Sequence, residues 1–291
     1  RAYQQLSELV FSGYTISPSK LIHRVDEIGA VARQLSNQLD TAMRNKEMFL
    51  NFQPIVNVHN QQLHSVEALL RWKHPQHGLI NPMVTVTLAE ETDSISKLGF
   101  WVLEQAIMQR ALWTKQGLGD FPVSVNISPH QLDDITFYNQ VMGILEKHQV
   151  PVGQLQIEIT EGAALVENAT SITNLENLHQ AGIRIAMDDF GVGHSSLLYL
   201  RVYPITTLKV DGSLSRGVTE NPVNLDIIAT IYDLCHLLKV DTIVEYVEDQ
   251  EQLIKLMDIG VSLVQGYLYS PPLDGGKIGN FIKSLSAVES S

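Results

Sequence analysis

Apolar and polar residues follow two different rhythms along this chain, and the rhythm changes near residue 47. Before it, Leu21, Val25, Ile28, Ala32, Leu35, Leu39 and Ala42 step by four and three, with polar residues at most positions between. That is the a/d seam of a coiled-coil helix, narrower than the stripe of a helix laid on a globular core. It predicts a parallel dimeric coil, and so a homodimer. FSGYTISPSK, with Gly13 and Pro18, breaks the helical pattern ahead of it.

Beyond residue 47, short β-rich runs alternate with amphipathic runs of helix length. Strands are predicted at 49–57, 64–72, 123–128, 155–160, 183–189, 207–211, 241–247 and 262–269. Helices are predicted at 99–116, 132–149, 167–181, 194–202, 222–239 and 249–258. Only HNQQ separates the first two strands, which is hairpin spacing; the others alternate with helices as βα units. The expected fold is α/β, a modified (β/α)8 TIM-type barrel with one antiparallel strand, preceded by a helical linker. Residues 1–44 form the linker and 45–291 the barrel. A doubly wound open sheet is the alternative, but polar residues at so many strand ends favour a closed ring with every end at one mouth.

Those strand ends carry the chemistry. LHSVEALLRW (63–72), VSVNIS (123–128), LQIEITE (155–161), IRIAMDDF (183–190) and DTIVEYVE (241–248) deliver Glu67, Asn126, Glu158, Asp188, Asp189 and Glu245 at their far ends. Carboxylates are rarely buried unless paired or bound to metal. The set is oxygen-only, without Cys or His, which suits Mg²⁺ or Mn²⁺ rather than zinc. Five carboxylates with Lys209 sum to −4, which two divalent ions cancel. Asp188 and Asp189 are adjacent where the pleat breaks, so both can turn to the mouth. A strand-end lysine such as Lys209 is costly to bury unless it faces carboxylates or phosphate. Arg71 offers the planar fork that clamps a phosphate.

A net charge of −12 argues against bulk attraction to a nucleic acid polymer. An anionic substrate would need metal or a local Arg or Lys. The single cysteine, Cys235, lies in an apolar stretch and reads as a core thiol. No run of about 20 apolar residues marks a membrane span.

Seven motifs, in order, then resemble one family. EALLRW (67–72), VNIS (125–128), EITE (158–161), DDFGVGHSSL (188–197), LKVD (208–211), VEYVE (244–248) and QGYLYSPPL (265–273) look like the EAL-domain cyclic di-GMP phosphodiesterases, over about residues 40–285. The resemblance implies hydrolysis of cyclic di-GMP to pGpG by a two-metal mechanism. In it Lys209 and Glu245 position the attacking water, and Gln53, Leu70, Arg71, Asp211, Glu248 and Gln265 serve the substrate. Glu161 holds the loop near the metals. A catalytically silent cyclic di-GMP receptor and an EAL-like protein-interaction module are the alternatives. Val192, His194 and Tyr246 depart from the family pattern, the last replacing a glycine, and Gly212 and Leu214 stand in Asp211-Gly212-Ser213-Leu214 where the family has Asp-Arg-Ser-Phe. Strand alternation is expected to turn the Tyr246 ring away from Glu245. Gly13 and VDEIGAVARQLSNQL (25–39) resemble the end of a HAMP linker. That implies a cytoplasmic domain of an inner-membrane protein, tied to the membrane only through an upstream segment.

Overall fold

The computed structural model describes residues 18–160, 168–191 and 199–288. The chain forms two compact units, one of residues 1–49 and 70–98 and one of 50–69 and 99–291.

In the first unit, α1 (Pro18–Arg44) carries the coiled-coil seam. Leu35, Leu39 and Ala42 are only 4%, 1% and 0% exposed within the single chain. This half of the seam is therefore covered within the single chain. α1 packs against α2 (Pro82–Glu91). The helix is also tied down by polar contacts within its unit, from Gln38 Oε1 to His74 Nε2 (2.7 Å) and from Asp40 to Lys97 (2.5 Å). Leu21, Val25 and Ile28 lie outside the residues whose side chains are described.

The strands are β1 (Met48–Asn57), β2 (Gln62–His74), β3 (Gly78–Ile80), β4 (Val123–Asn126), β5 (Leu155–Thr160), β6 (Arg184–Phe190), β7 (Thr207–Val210), β8 (Asp241–Val244), β9 (Leu263–Gln265) and β10 (Leu273–Asp274). Their order is β10-β1-β9-β8-β7-β6-β5-β4-β2-β3, and a β1–β2 pairing closes the ring. From β2 through β4 to β9 every neighbouring pair in the ring is parallel. β1 runs antiparallel to β9. The fold is therefore the closed eight-stranded barrel with one reversed strand that the hydropathy pattern predicts. β3 and β10 are short additions.

Period-two alternation sorts the strands into an outer and an inner face. Leu155, Ile157 and Ile159 of β5, Ile185 and Met187 of β6, and Leu208 and Val210 of β7 face outward and are buried. Helices α3 (Ile95–Lys115), α4 (Pro129–Leu132), α5 (Phe137–His148), α6 (Ala169–Gln180), α7 (Tyr199–Val202), α8 (Gly212–Ser215), α9 (Pro222–Leu238), α10 (Gln250–Asp258) and α11 (Ile278–Val288) connect or follow the strands. On the inner side, Ile55, Ile243 and Leu263 form one buried cluster. A polar layer crosses the interior from Thr207 through Gln156 (3.2 Å) to Ser124 (2.9 Å). The next inward residues on these strands, two further toward the C-terminal ends, are Lys209, Glu158 and Asn126. The pleat thus stacks the acidic layer on a floor that is already packed.

Candidate metal centre

Lys209 is 0% exposed and its ammonium is the centre of the acidic layer. Its Nζ lies 2.8 Å from Glu245, 2.9 Å from Glu158, 3.1 Å from Glu67 and 3.2 Å from Asp188. Strands β2, β5, β6 and β7 and the residue following β8 thereby meet at one cation. Glu67 is the hub on the acidic side: it also accepts from Asn126 Nδ2 (2.9 Å) and Gln265 Nε2 (2.8 Å). Gln265 Nε2 further donates to Gln53 Oε1 at 3.3 Å, so Gln53 belongs to the same network.

One lysine does not balance this much acid, and the protonation behaviour shows it. Burial first, and neighbouring carboxylates second, push Glu158 and Glu245 up to about 8, against Lys209. Burial also raises Asp188, and with Asp188 and Asp211 it brings Asp189 to about 6. Glu67 alone in the ring is lowered: burial pushes it up, but Lys209 with the bonds from Gln265 and Asn126 outweighs that. Lys209 loses from burial yet is held well above its ordinary value by Asp188, Glu158, Glu245 and Glu67.

The residues fit divalent cations. Oxygens of Glu67, Glu158 and Asp188 all lie within 4.8 Å of one another. Glu158 Oε1 and Gln265 Oε1 are buried acceptors with no hydrogen-bond partner among the described residues. A buried orphan oxygen costs free energy that a cation would recover. Asp188 is buried and Asp189 exposed, and the strand bulges between Met187 and Phe190. Asp189 takes φ +57°, and its N–H donates to Asp188 Oδ1 at 3.0 Å. The pleat does break there, by a left-handed residue.

The same device recurs at Tyr246, at φ +56°. β8 ends at Val244, so Tyr246 is not a strand residue and the alternation argument for its ring does not apply. A left-handed backbone costs a bulky residue about 1–2 kcal/mol, which is why glycine suits the position. Ser215 Oγ donates to the Glu245 carbonyl (2.5 Å) and clamps this turn to α8. No motif singles out Ser215; only its position one turn after Asp211 hints at it.

The remaining predicted residues divide. Asp211 caps α8, accepting from Ser213 N–H at 2.7 Å. Glu248 is exposed, and its N–H donates to Gln252 in the cap of α10. Leu70 and Arg71 belong to the other unit, where Arg71 Nη1 donates to the Leu70 carbonyl at 2.8 Å. Glu161, Val192 and His194 lie outside the described residues.

The raised carboxylates set a pH dependence. Their folded-state values exceed the unfolded 4.5, so the metal-free fold binds more protons than the unfolded chain up to about pH 8. Its stability therefore falls as pH rises through that window. Cations need the carboxylates unprotonated, so their stabilisation grows with pH. Melting curves from pH 7 to 8.5 are expected to fall in EDTA and to show a widening upward shift with Mn²⁺. A metal-free melting temperature that rises over this range would contradict the proton count.

A model of the EAL domain family matches residues 36–272. MucR of Pseudomonas aeruginosa, a bifunctional diguanylate cyclase/cyclic di-GMP phosphodiesterase, is 36% identical over 240 residues, 82% of this chain and 35% of the relative. NbdA of the same organism, a cyclic di-GMP phosphodiesterase, is 33% identical over 251 residues, 86% of this chain and 32% of the relative. This chain spans about a third of the length of these curated relatives. A solved phosphodiesterase structure, that of PaMucR in complex with c-di-GMP, superposes with a TM-score of 0.79 at 35% identity, covering 84% of this chain and 99% of that one.

Proposed function

The chain belongs to the EAL domain family, and from that membership we propose that it hydrolyses cyclic di-GMP to the linear dinucleotide pGpG. The observation that carries the reading is the buried ring of four carboxylates around Lys209 at the C-terminal strand ends of the barrel. Among TIM-type barrels, that end is where catalytic groups gather.

Glu67, Asn126, Glu158, Asp188 and Asp189 would hold two divalent ions, Mg²⁺ or Mn²⁺. When bound, such ions supply Lewis-acid charge to a phosphodiester and make water a better nucleophile. The chain's own residues do the rest. Bound cations would favour the ionised forms of Glu158 and Glu245, which burial raises to about 8, and ionised Glu245 could then accept a proton. Lys209, 2.8 Å from Glu245, orients that carboxylate and the attacking water. Gln265 and Gln53 fix Glu67 from the side opposite Asn126 and complete a polar wall for the substrate. Asp211, Glu248, Leu70 and Arg71 enter as substrate residues, and Glu161 as a loop support, on the family resemblance alone. Arg71→Ala is expected to weaken binding of cyclic di-GMP by about 1.5–3 kcal/mol, the loss of a charge-assisted pair. Calorimetry would read this, and unchanged affinity would remove Arg71 from the phosphate.

The second reading is a receptor that binds cyclic di-GMP without cleaving it. Tyr246, in a position where the family has glycine, is the observation that favours it. Turnover with Mg²⁺ or Mn²⁺ separates the two. Residues 1–44 are proposed as a HAMP-like linker from an upstream membrane sensor to a cytoplasmic catalytic domain in a homodimer. No helix among the described residues is long and apolar enough to cross a membrane. An interface through the a/d seam of α1 would use seam residues ahead of Leu35, since Leu35, Leu39 and Ala42 are buried within the chain.

A further inference from the structure

Tyr246 is an unusual residue to find held in a left-handed turn beside a catalytic carboxylate, and the structure braces it from two sides. Its ring lies against α8. A Cβ on Gly212 would run into Tyr246 Cδ2 and Cγ, so the missing side chain at 212 is the space that the ring fills. Four residues on, Arg216 closes the turn by donating its N–H to the Gly212 carbonyl at 3.0 Å. Residues four apart share a helix face. The Arg216 guanidinium accordingly sits over the ring, 4.2 Å from its centroid, in cation–π geometry. Two departures from the family pattern, Gly212 and Tyr246, are thus one packing unit. Strain of this kind persists where the surroundings enforce it, and it concentrates at working sites.

Tyr246 is still 42% exposed. Gly212, on which the ring packs, follows Asp211 at the end of β7, and Tyr246 follows Glu245 at the end of β8, so the ring stands at the C-terminal rim of the barrel beside acidic side chains. That setting favours a neutral planar group over a second anion.

We propose that Tyr246, backed by Gly212 and Arg216, is a stacking platform for a purine base of the cyclic dinucleotide at the mouth of the barrel. Tyr246 is then a substrate-binding residue and Arg216 a positioning residue acting through it. The proposal rests on the phosphodiesterase reading for the identity of the ligand. It supplies an affinity that the glycine of the family pattern lacks, since any base presents a π-face to an aromatic ring.

The test measures KM and kcat for cyclic di-GMP in Mn²⁺, and Kd by calorimetry in Ca²⁺, for the full chain and three variants. Tyr246→Leu is expected to raise KM and Kd roughly tenfold, while kcat moves less than threefold. Tyr246→Phe keeps the ring and is expected to keep both constants. Gly212→Ala leaves Tyr246 in the sequence but displaces its ring, and is expected to reproduce the Leu result. If Tyr246→Leu does not fold, Gly212→Ala carries the comparison. Wild-type Kd in folded Tyr246→Leu or Gly212→Ala would overturn the platform whether or not the protein turns over. Tight wild-type binding without turnover would remove the phosphodiesterase reading, and a tenfold loss in Kd would then still support the platform. Absence of any wild-type binding would end both.

Discussion

Lys209→Met is expected to lower turnover of cyclic di-GMP by about a thousandfold and, in EDTA at pH 8, to destabilise the fold by about 3–5 kcal/mol. Met is close in length, so the change removes charge rather than volume. Four carboxylates within 3.2 Å of Nζ then lose their only close cation among the described residues. Breaking a buried ionic group by deleting one side is more damaging than replacing all of it. The deficit should shrink at pH 5, where Glu158 and Glu245, raised to about 8, keep their protons and need no counter-charge. Melting at the two pH values, with a product assay in Mn²⁺, checks both parts. A variant as stable as wild type at pH 8 would mean that the carboxylates are not mutually repulsive, contrary to the burial and distances.

The second large effect is expected at Glu67. Glu67→Gln keeps the shape but removes the one ring carboxylate that its surroundings lower rather than raise. Its two oxygens accept from Lys209, Gln265 and Asn126 together. An amide turns one of those acceptors into a donor facing a donor, at a cost of about 1–3 kcal/mol. It also withdraws a ligand from the triad with Glu158 and Asp188. A divalent ion contributes several kcal/mol of transition-state stabilisation, so the loss in turnover should be at least about a thousandfold. Calorimetric titration with Mn²⁺ should show weaker or missing binding. Wild-type Mn²⁺ affinity in Glu67→Gln would place the cations elsewhere.

The acidic layer was legible in the sequence because a strand has period two. Once Leu208 and Val210 are read as core, Lys209 must face the other way; Glu158 between Ile157 and Ile159 follows by the same logic. Left-handed turns have no such period. Asp189 and Tyr246 sit where the strand stops being a strand, and extending β8 through 247 assigned Tyr246 a side by a rule that had already lapsed. Ser215 and Gly212 matter through a carbonyl and an empty volume, neither of which a residue pattern displays. The partner of the lower seam was hidden for a related reason. α2 was not predicted, because Val84, Thr85, Val86 and Thr87 are poor helix formers and the helix depends on its Asn81 cap and Pro82. Without α2, which packs on α1, the burial of Leu35, Leu39 and Ala42 within one chain could not be read from the pattern.

The measurement that bears most directly on the central claim is the chromatographic appearance of pGpG from cyclic di-GMP with the purified chain in Mg²⁺, Mn²⁺, Ca²⁺ and EDTA. The account predicts product in Mg²⁺ or Mn²⁺ and none in EDTA. In Ca²⁺, which tolerates looser coordination, it predicts bound but uncleaved substrate. Tight binding of cyclic di-GMP with no pGpG in either Mg²⁺ or Mn²⁺ would contradict it and make this chain a receptor.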